Sequence, residues 1–365
     1  TAIRHANQQN EFIKCIDKLG IPVVTAWDAH DIIWDEHPLY CGRPGTVGTR
    51  AGNFIVQNAD LLIVLGCRMN IRMIGYNFGD FGKNAYKIVV DIDAAELNKP
   101  TVKVDYPVHA DLRDFFKSVN EAEYEKNDSH KEWVDWCRQL DKKYPATLPE
   151  YYEDKDGLNP YVFTTKLFEE LNEDDSVVCS NGAACVITFQ AADIKKGQRL
   201  YTNSGCAAMG YGLPAAVGAS VSEPDKRIIC VEGDGSFMMN PQILIDAVQH
   251  GLKGMILLFD NRRMGAITSL QNAQYSIEYK TDDQVVVDYV QMAEAVQGVK
   301  GFYSGETPEE MKEALAKAYK YDGLSLIHIP VHYGDDELSG LGTFGDWNVG
   351  NWCERVQKMK HEIGF

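Results

Sequence analysis

Residues 226–237 read KRIICVEGDGSF. The apolar run from Ile228 to Val231 stops at a glycine turn. The stretch therefore reads as a buried strand that hands its C-terminal end to a tight loop and then a helix. In open α/β sheets this edge is where ligands bind. Gly233 and Gly235 let the backbone come close to a phosphate, whose oxygens the N–H groups at a helix start can bind. Asp234 adds a hard carboxylate oxygen of the kind Mg2+ takes. Alone, a Gly-Asp-Gly turn is a weak signal, since many such turns are only turns.

The next apolar run sharpens the signal. GMILLFD, residues 254–260, is followed by Asn261, 27 residues after Asp234. Neighbouring strands of a parallel sheet set their C-terminal ends side by side. The Asp234 carboxylate and the Asn261 side-chain carbonyl can then share one cation, with the Arg263 backbone carbonyl as a third oxygen. An Asn at a strand-end turn is common by itself. The order strand, GDGS, helix, strand, Asn is far more specific than either part.

Outward from this core, short apolar runs alternate with helical patterns in both directions. Downstream of residue 160, helices are expected over 161–171, 206–222, 240–251, 288–298 and 306–320, the last with a Thr cap and capping-box Glu. Strands are expected at 175–179 and 324–331. Upstream, residues 7–19 read as a helix ending at Gly20, IPVVTAW (21–27) as a buried strand, and 49–59 as a helix. DLLIVLG (60–66) and YKIVVDID (86–93) read as strands, and 111–119 as a helix. The fold class is α/β: two parallel-sheet, three-layer domains. The expected division is 1–120, a Rossmann-like domain that lacks its first strand; 121–159, a linker with one helix or else an appendage of the first domain; 160–335, the second domain; and 336–365, a tail that covers the site or packs on the surface.

Composition narrows the function. Lys and Arg total 36 against 53 Asp and Glu, a net charge of −17. Such an excess repels phosphate backbones and argues against a nucleic-acid partner. No 18-residue apolar run exists, so no membrane span is expected, and TAIRHANQQN is no signal sequence, which points to the cytoplasm. The nine cysteines lack paired CxxC spacing and read as buried free thiols. His328 and His332 lack a metal-binding pattern. The strand ending at Gly66 has no GxGxxG, which argues against a dehydrogenase. A non-catalytic nucleotide-binding subunit would not require both GDGS and Asn261.

The pattern resembles the thiamine-diphosphate-dependent enzymes, in particular the acetolactate synthase-like group. The resemblance rests on GDG with Asn261 at its spacing, on SGCAAMGYGLPAAVGA (204–219), and on HPLYCGRPGTVGTRAGNFIVQNADLLIVLGCRMNIR (37–72) with KIVVDIDAAEL (87–97). It covers nearly the whole chain: residues 1–120 look like the central domain and 160–332 like the diphosphate-binding domain. It implies thiamine diphosphate and Mg2+ as cofactors. Asp234 and Asn261 would hold Mg2+ through side chains and Arg263 through its carbonyl. Gly233, Gly235 and Ser236 would bind diphosphate. Met209 would sit under the thiazolium ring, and the Ala207 carbonyl would accept a hydrogen bond from the aminopyrimidine. Gly182, in the loop 181–184, would lie beside the diphosphate, and Met264 would face the cofactor. Ala183 and Ala184 stand where many acetolactate synthases have Gln and His, which weakens that particular identity.

The implied reaction is carboligation or decarboxylation of a 2-oxo acid or related carbonyl compound, through an enamine on the cofactor. The alternatives are a C–C lyase or hydrolase of a cyclic or sugar-like diketone, or a subunit inactive without a separate pyrimidine-binding domain. In the family a Glu of that domain activates the cofactor, and no counterpart is found in this chain. The chain is expected to be a piece of a longer protein, to pair with a pyrimidine-binding subunit, or to work without one. Alone it is expected to be inactive. A homo-oligomer, dimer or tetramer, with its site at the subunit interface is implied. FAD is a weaker expectation, placed at Arg68, Arg72 and the 42–50 loop.

Overall fold

The structure, a computed structural model, describes residues 1–331 apart from 126, 128, 154–157, 204 and 282–284, and leaves the side chains of 269, 270 and 273 undescribed. The expected tail, 336–365, lies outside the described residues. The chain divides into two units, Thr1–Ala146 and one that begins at Thr147. Each is built on a parallel sheet.

In the first unit, β1 (Leu61–Leu65), β2 (Tyr86–Asp91) and β3 (Tyr106–His109) pair in the order β1-β2-β3. The helix Gln9–Leu19 ends at Gly20, which adopts φ 66°, a left-handed stop that suits glycine. Its Phe12 meets Phe116 of the helix Leu112–Glu121, with ring centroids 6.1 Å apart. The helix Arg50–Asn58 is capped by Thr49, whose hydroxyl accepts from Gly52 N–H at 3.2 Å. Phe54 of this helix shares a core with Cys137 and Leu140 of the helix Ser129–Lys143. That last helix therefore packs into the first unit, although its sequence lies in the expected linker.

IPVVTAW is not a strand of this sheet. Its one ladder contact is a parallel bridge between Val23 and Tyr40. The segment 39–42 takes its backbone groups instead: Val23 N–H donates to Leu39 O at 2.7 Å, Cys41 N–H to Val23 O at 2.8 Å and Thr25 N–H to Gly42 O at 3.1 Å. Apolar composition marked it as a buried strand, but only Thr25 of it is buried and the rest is half-buried, and composition could not choose its partner.

The second unit has six parallel strands: β4 (Ser176–Cys179), β5 (Arg199–Tyr201), β6 (Ile228–Gly233), β7 (Gly254–Asp260), β8 (Val299–Tyr303) and β9 (Leu324–Pro330). Their order is β5-β4-β6-β7-β9-β8. The chain runs outward from β4 to β5 and then returns to β6 on the other side of β4. Strand order thus reverses between β4 and β6, and the crevice beyond their C-terminal ends is the place such sheets bind ligands. The central strands are apolar and buried throughout: Val177, Ile229, Ile256 and Leu326 are all at most 1% exposed, as a sheet covered on both faces requires.

The expected helix 206–222 begins only at Gly212. Upstream of it, Ala207 has φ 49° and Gly210 φ 83°, so the chain turns there. Side chains bind the carbonyls a helix would have used: Asn240 Nδ2 donates to Gly210 O at 2.8 Å and Asn181 Nδ2 to Ala207 O at 3.2 Å. The helix expected over 240–251 likewise forms only over Ile243–Gln249.

Candidate active site

Asp234 opens a one-turn helix directly after β6, and Asn261 follows β7. Parallel pairing puts Gly233 opposite Phe259, so the two strand ends come out together. Asp234 Oδ1 accepts from Gly235 N–H at 2.8 Å and Oδ2 accepts from Arg262 N–H at 3.0 Å. Asp234 is thereby bonded to the turn that carries Asn261 and Arg263. Asn261 Oδ1 accepts from Arg263 N–H at 3.2 Å, which fixes the Asn261 side chain within the turn. Arg262 holds φ 51°, an uncommon conformation for a non-glycine residue and one often found at functional turns.

Burial, with the facing Asp260 carboxylate, pushes the Asp234 carboxyl up from its ordinary range against the Gly235 N–H. A cation at this point would reverse that balance. Glu232, two residues earlier, is fully buried, and burial pushes its carboxyl up to about 7. A Cβ on Gly212 would stand 2.4 Å from its Oε2, so that close approach demands glycine.

Ser236 Oγ donates to Asn181 Oδ1, and Asn181 Nδ2 donates to the Ala207 carbonyl. Asn181 precedes the helix Gly182–Ala191, yet its side chain does not cap that helix. Gly182 has φ 64°, and a Cβ there, or on Gly233, would meet nothing within 4 Å. Both glycines therefore face open space. Met209 reaches the same place: its Cε lies 3.2 Å from where a Gly235 Cβ would be. Met264 and Ile267, at the start of the helix Gly265–Tyr275, are 45% and 42% exposed.

The structure thus gathers Gly182, Ala207, Met209, Gly233, Asp234, Gly235, Ser236, Asn261 and Arg263 around the β4–β6–β7 edge, with Met264 just beyond. Gln271 lies further along the helix Gly265–Tyr275. Its amide holds Tyr279, accepting from Tyr279 N–H at 2.8 Å and donating to Tyr279 O at 3.4 Å. Sequence reasoning passed over Glu232, Asp260 and His328. The charged residues closing the apolar strands β6 and β7 were the available signal. The donor set fits a thiamine diphosphate–Mg2+ group: hard oxygens from Asp234 and Asn261, and glycines opening onto free space.

In the first unit, the glycines of the 42–50 loop belong to packing. A Cβ on Gly48 would lie 2.0 Å from the Arg43 carbonyl oxygen, and one on Gly45 3.0 Å from that of Arg72. Arg68 pairs with Glu96 at 3.0 Å.

Comparison with known proteins agrees with both units. Residues 1–119 match the family model for the thiamine pyrophosphate enzyme central domain, and residues 180–329 the model for its C-terminal TPP binding domain. A probable acetolactate synthase large subunit of Methanococcus aeolicus is 30% identical over 337 residues, covering 88% of this chain and 55% of the relative. Acetolactate synthase isozyme 1 large subunit of Escherichia coli is 33% identical over 262 residues, 71% of this chain and 45% of the relative. The acetolactate synthase large subunit of Cyanidium caldarium is 30% identical over 326 residues, 87% and 54%. The chain spans about half the length of the curated relatives it matches. With its central-domain match, its cofactor-domain match and the residues gathered at the second sheet's edge, the chain belongs to the thiamine-diphosphate-dependent enzyme family.

Proposed function

We propose that this chain carries the diphosphate- and Mg2+-binding part of a thiamine-diphosphate-dependent enzyme that forms or cleaves a C–C bond beside a carbonyl, with a 2-oxo acid as donor. The observation that carries this reading is the bond from Arg262 N–H to Asp234, which joins the two halves of a cation site. Asp234 and Asn261 hold Mg2+ through side-chain oxygens and Arg263 through its carbonyl. The backbone at Gly233 and Gly235, the Ser236 hydroxyl and the open face at Gly182 receive the diphosphate. Met209 supports the thiazolium ring, the Ala207 carbonyl orients the aminopyrimidine, and Met264 closes the apolar side. The bound cofactor supplies an electron sink for the carbon next to the carbonyl. The residues of this chain bind, orient and exclude water.

The Glu that activates the cofactor belongs to a pyrimidine-binding domain, and the working assembly is a cytoplasmic homo-oligomer with that domain at the interface. The relatives are called large subunits, which supports a smaller partner subunit as well. The small apolar side chains of Ala183 and Ala184 favour a second reading, a lyase or hydrolase of a cyclic or sugar-like diketone. A product screen separates the two. The enzyme with its pyrimidine-binding domain is given thiamine diphosphate, Mg2+, pyruvate and a panel of carbonyl acceptors. Coupled products with release of CO2 support the first reading. Diketone cleavage without pyruvate turnover supports the second, and turnover of neither class contradicts both.

A further inference from the structure

His328 was set aside in the sequence for want of metal-binding partners, yet it stands behind the cation turn. It lies on β9 opposite Leu258 of β7. Asp260, two residues on, shares that side of β7. The His328 Nε2 and Asp260 Oδ2 atoms are 2.8 Å apart, with the two side chains only 14% and 9% exposed. The His328 ring is set edge-on between Tyr289 and Tyr303, at centroid distances of 5.2 and 5.7 Å. Asp260 Oδ1 in turn accepts from Arg262 N–H at 3.1 Å.

We infer that His328 is a positioning residue for cation binding, holding Asp260 so that Asp260 fixes the Arg262 turn between Asn261 and Arg263. The inference rests on the Mg2+ reading proposed above. Arg262 N–H is shared between Asp260 and Asp234. Once Asp234 gives its oxygens to a cation, Asp260 is the remaining carboxylate anchor for a residue held at φ 51°. Without His328, Asp260 is a partly buried carboxylate free to turn away. The turn then loses the restraint that sets the Asn261 side chain and the Arg263 carbonyl. This is the role outer hydrogen-bond partners play around metal ligands.

The test uses the enzyme with its pyrimidine-binding domain and Mn2+ as the probe, with thiamine diphosphate present, and follows free Mn2+ by electron paramagnetic resonance. His328→Leu keeps the bulk and removes the donor, whereas His328→Gln keeps an N–H within reach of Asp260. We expect His328→Leu to weaken Mn2+ binding about 10-fold and His328→Gln to restore most of it. Thermal midpoints without metal should fall in both variants, because both lose the ring between the tyrosines, and further in His328→Leu, which leaves Asp260 without a donor. Asp260→Asn should weaken Mn2+ as His328→Leu does, and the double variant should show no further loss. Unchanged affinity in His328→Leu, or equal loss in His328→Gln, overturns the inference while leaving the cation reading intact. Failure of the unsubstituted enzyme, its pyrimidine-binding domain included, to bind Mn2+ overturns both.

Discussion

The side-chain amide of Asn181 donates to the carbonyl of Ala207 at 3.2 Å. That bond ties the end of β4 to a residue in the left-handed region. The other end of the same amide accepts from Ser236. One side chain therefore links the segment expected to face the pyrimidine with the turn expected to face the diphosphate. It does so instead of capping the helix Gly182–Ala191. A neutral hydrogen bond contributes about 1 kcal/mol net. Asn181→Ala should lower thiamine diphosphate affinity by about three- to tenfold and shift the thermal midpoint little. Calorimetric titration with Mg2+ present, beside a melting curve, checks both parts.

Two glycines at this edge should respond oppositely to the same substitution. Gly212→Ala would drive a methyl to 2.4 Å from Glu232 Oε2 and 3.0 Å from Ser180 Cβ. Overpacking of that kind costs about 1–3 kcal/mol. Gly182→Ala meets no atom within 4 Å but keeps φ 64°, a backbone cost of about 1 kcal/mol. Gly212→Ala should therefore lose mainly stability and Gly182→Ala mainly cofactor binding. Urea unfolding midpoints and thiamine diphosphate titrations of the two variants make the comparison.

His30 in the first unit gives a pH dependence. It is buried, with Nδ1 3.0 Å from Thr25 Oγ1. Burial first, and then the Arg43 charge, hold its pKa well below the usual imidazole value. The folded chain keeps this ring neutral where the unfolded chain takes a proton. Its contribution is therefore present above the unfolded pKa of about 6.5 and is lost as pH falls towards the lower folded value. Denaturant midpoints between about pH 8 and about pH 5 should fall more steeply for the natural chain than for His30→Gln. Equal slopes would contradict the assignment.

Much of this fold could be read from the sequence because it follows from local rules. Short apolar runs gave β1, β2, β4, β6, β7 and β9, and Gly20 and Thr307 marked a helix end and a helix start. The placement of Asp234 beside the 261–263 turn followed from parallel pairing of consecutive strands. The short strands β3, β5 and β8 were missed because YPVH, RLY and VKGFY offer too few apolar residues to show a period. The turn at 205–211 looked helical because small residues suit a helix. Its real conformation depends on Asn181 and Asn240, each 26 or more residues away. Likewise the Asp260–His328 pair spans 68 residues of sequence. Bonds of this kind are set by tertiary packing and leave no local pattern.

Asp234 and Asn261 are proposed to form a cation site that secures thiamine diphosphate. The direct measurement is calorimetric titration of thiamine diphosphate into the enzyme with its pyrimidine-binding domain, with Mg2+, with EDTA, and with Mg2+ into its Asp234→Ala variant. Binding is expected in the first case and its loss, by about 100-fold or more, in the other two. Binding that is indifferent to EDTA and to Asp234→Ala would contradict it.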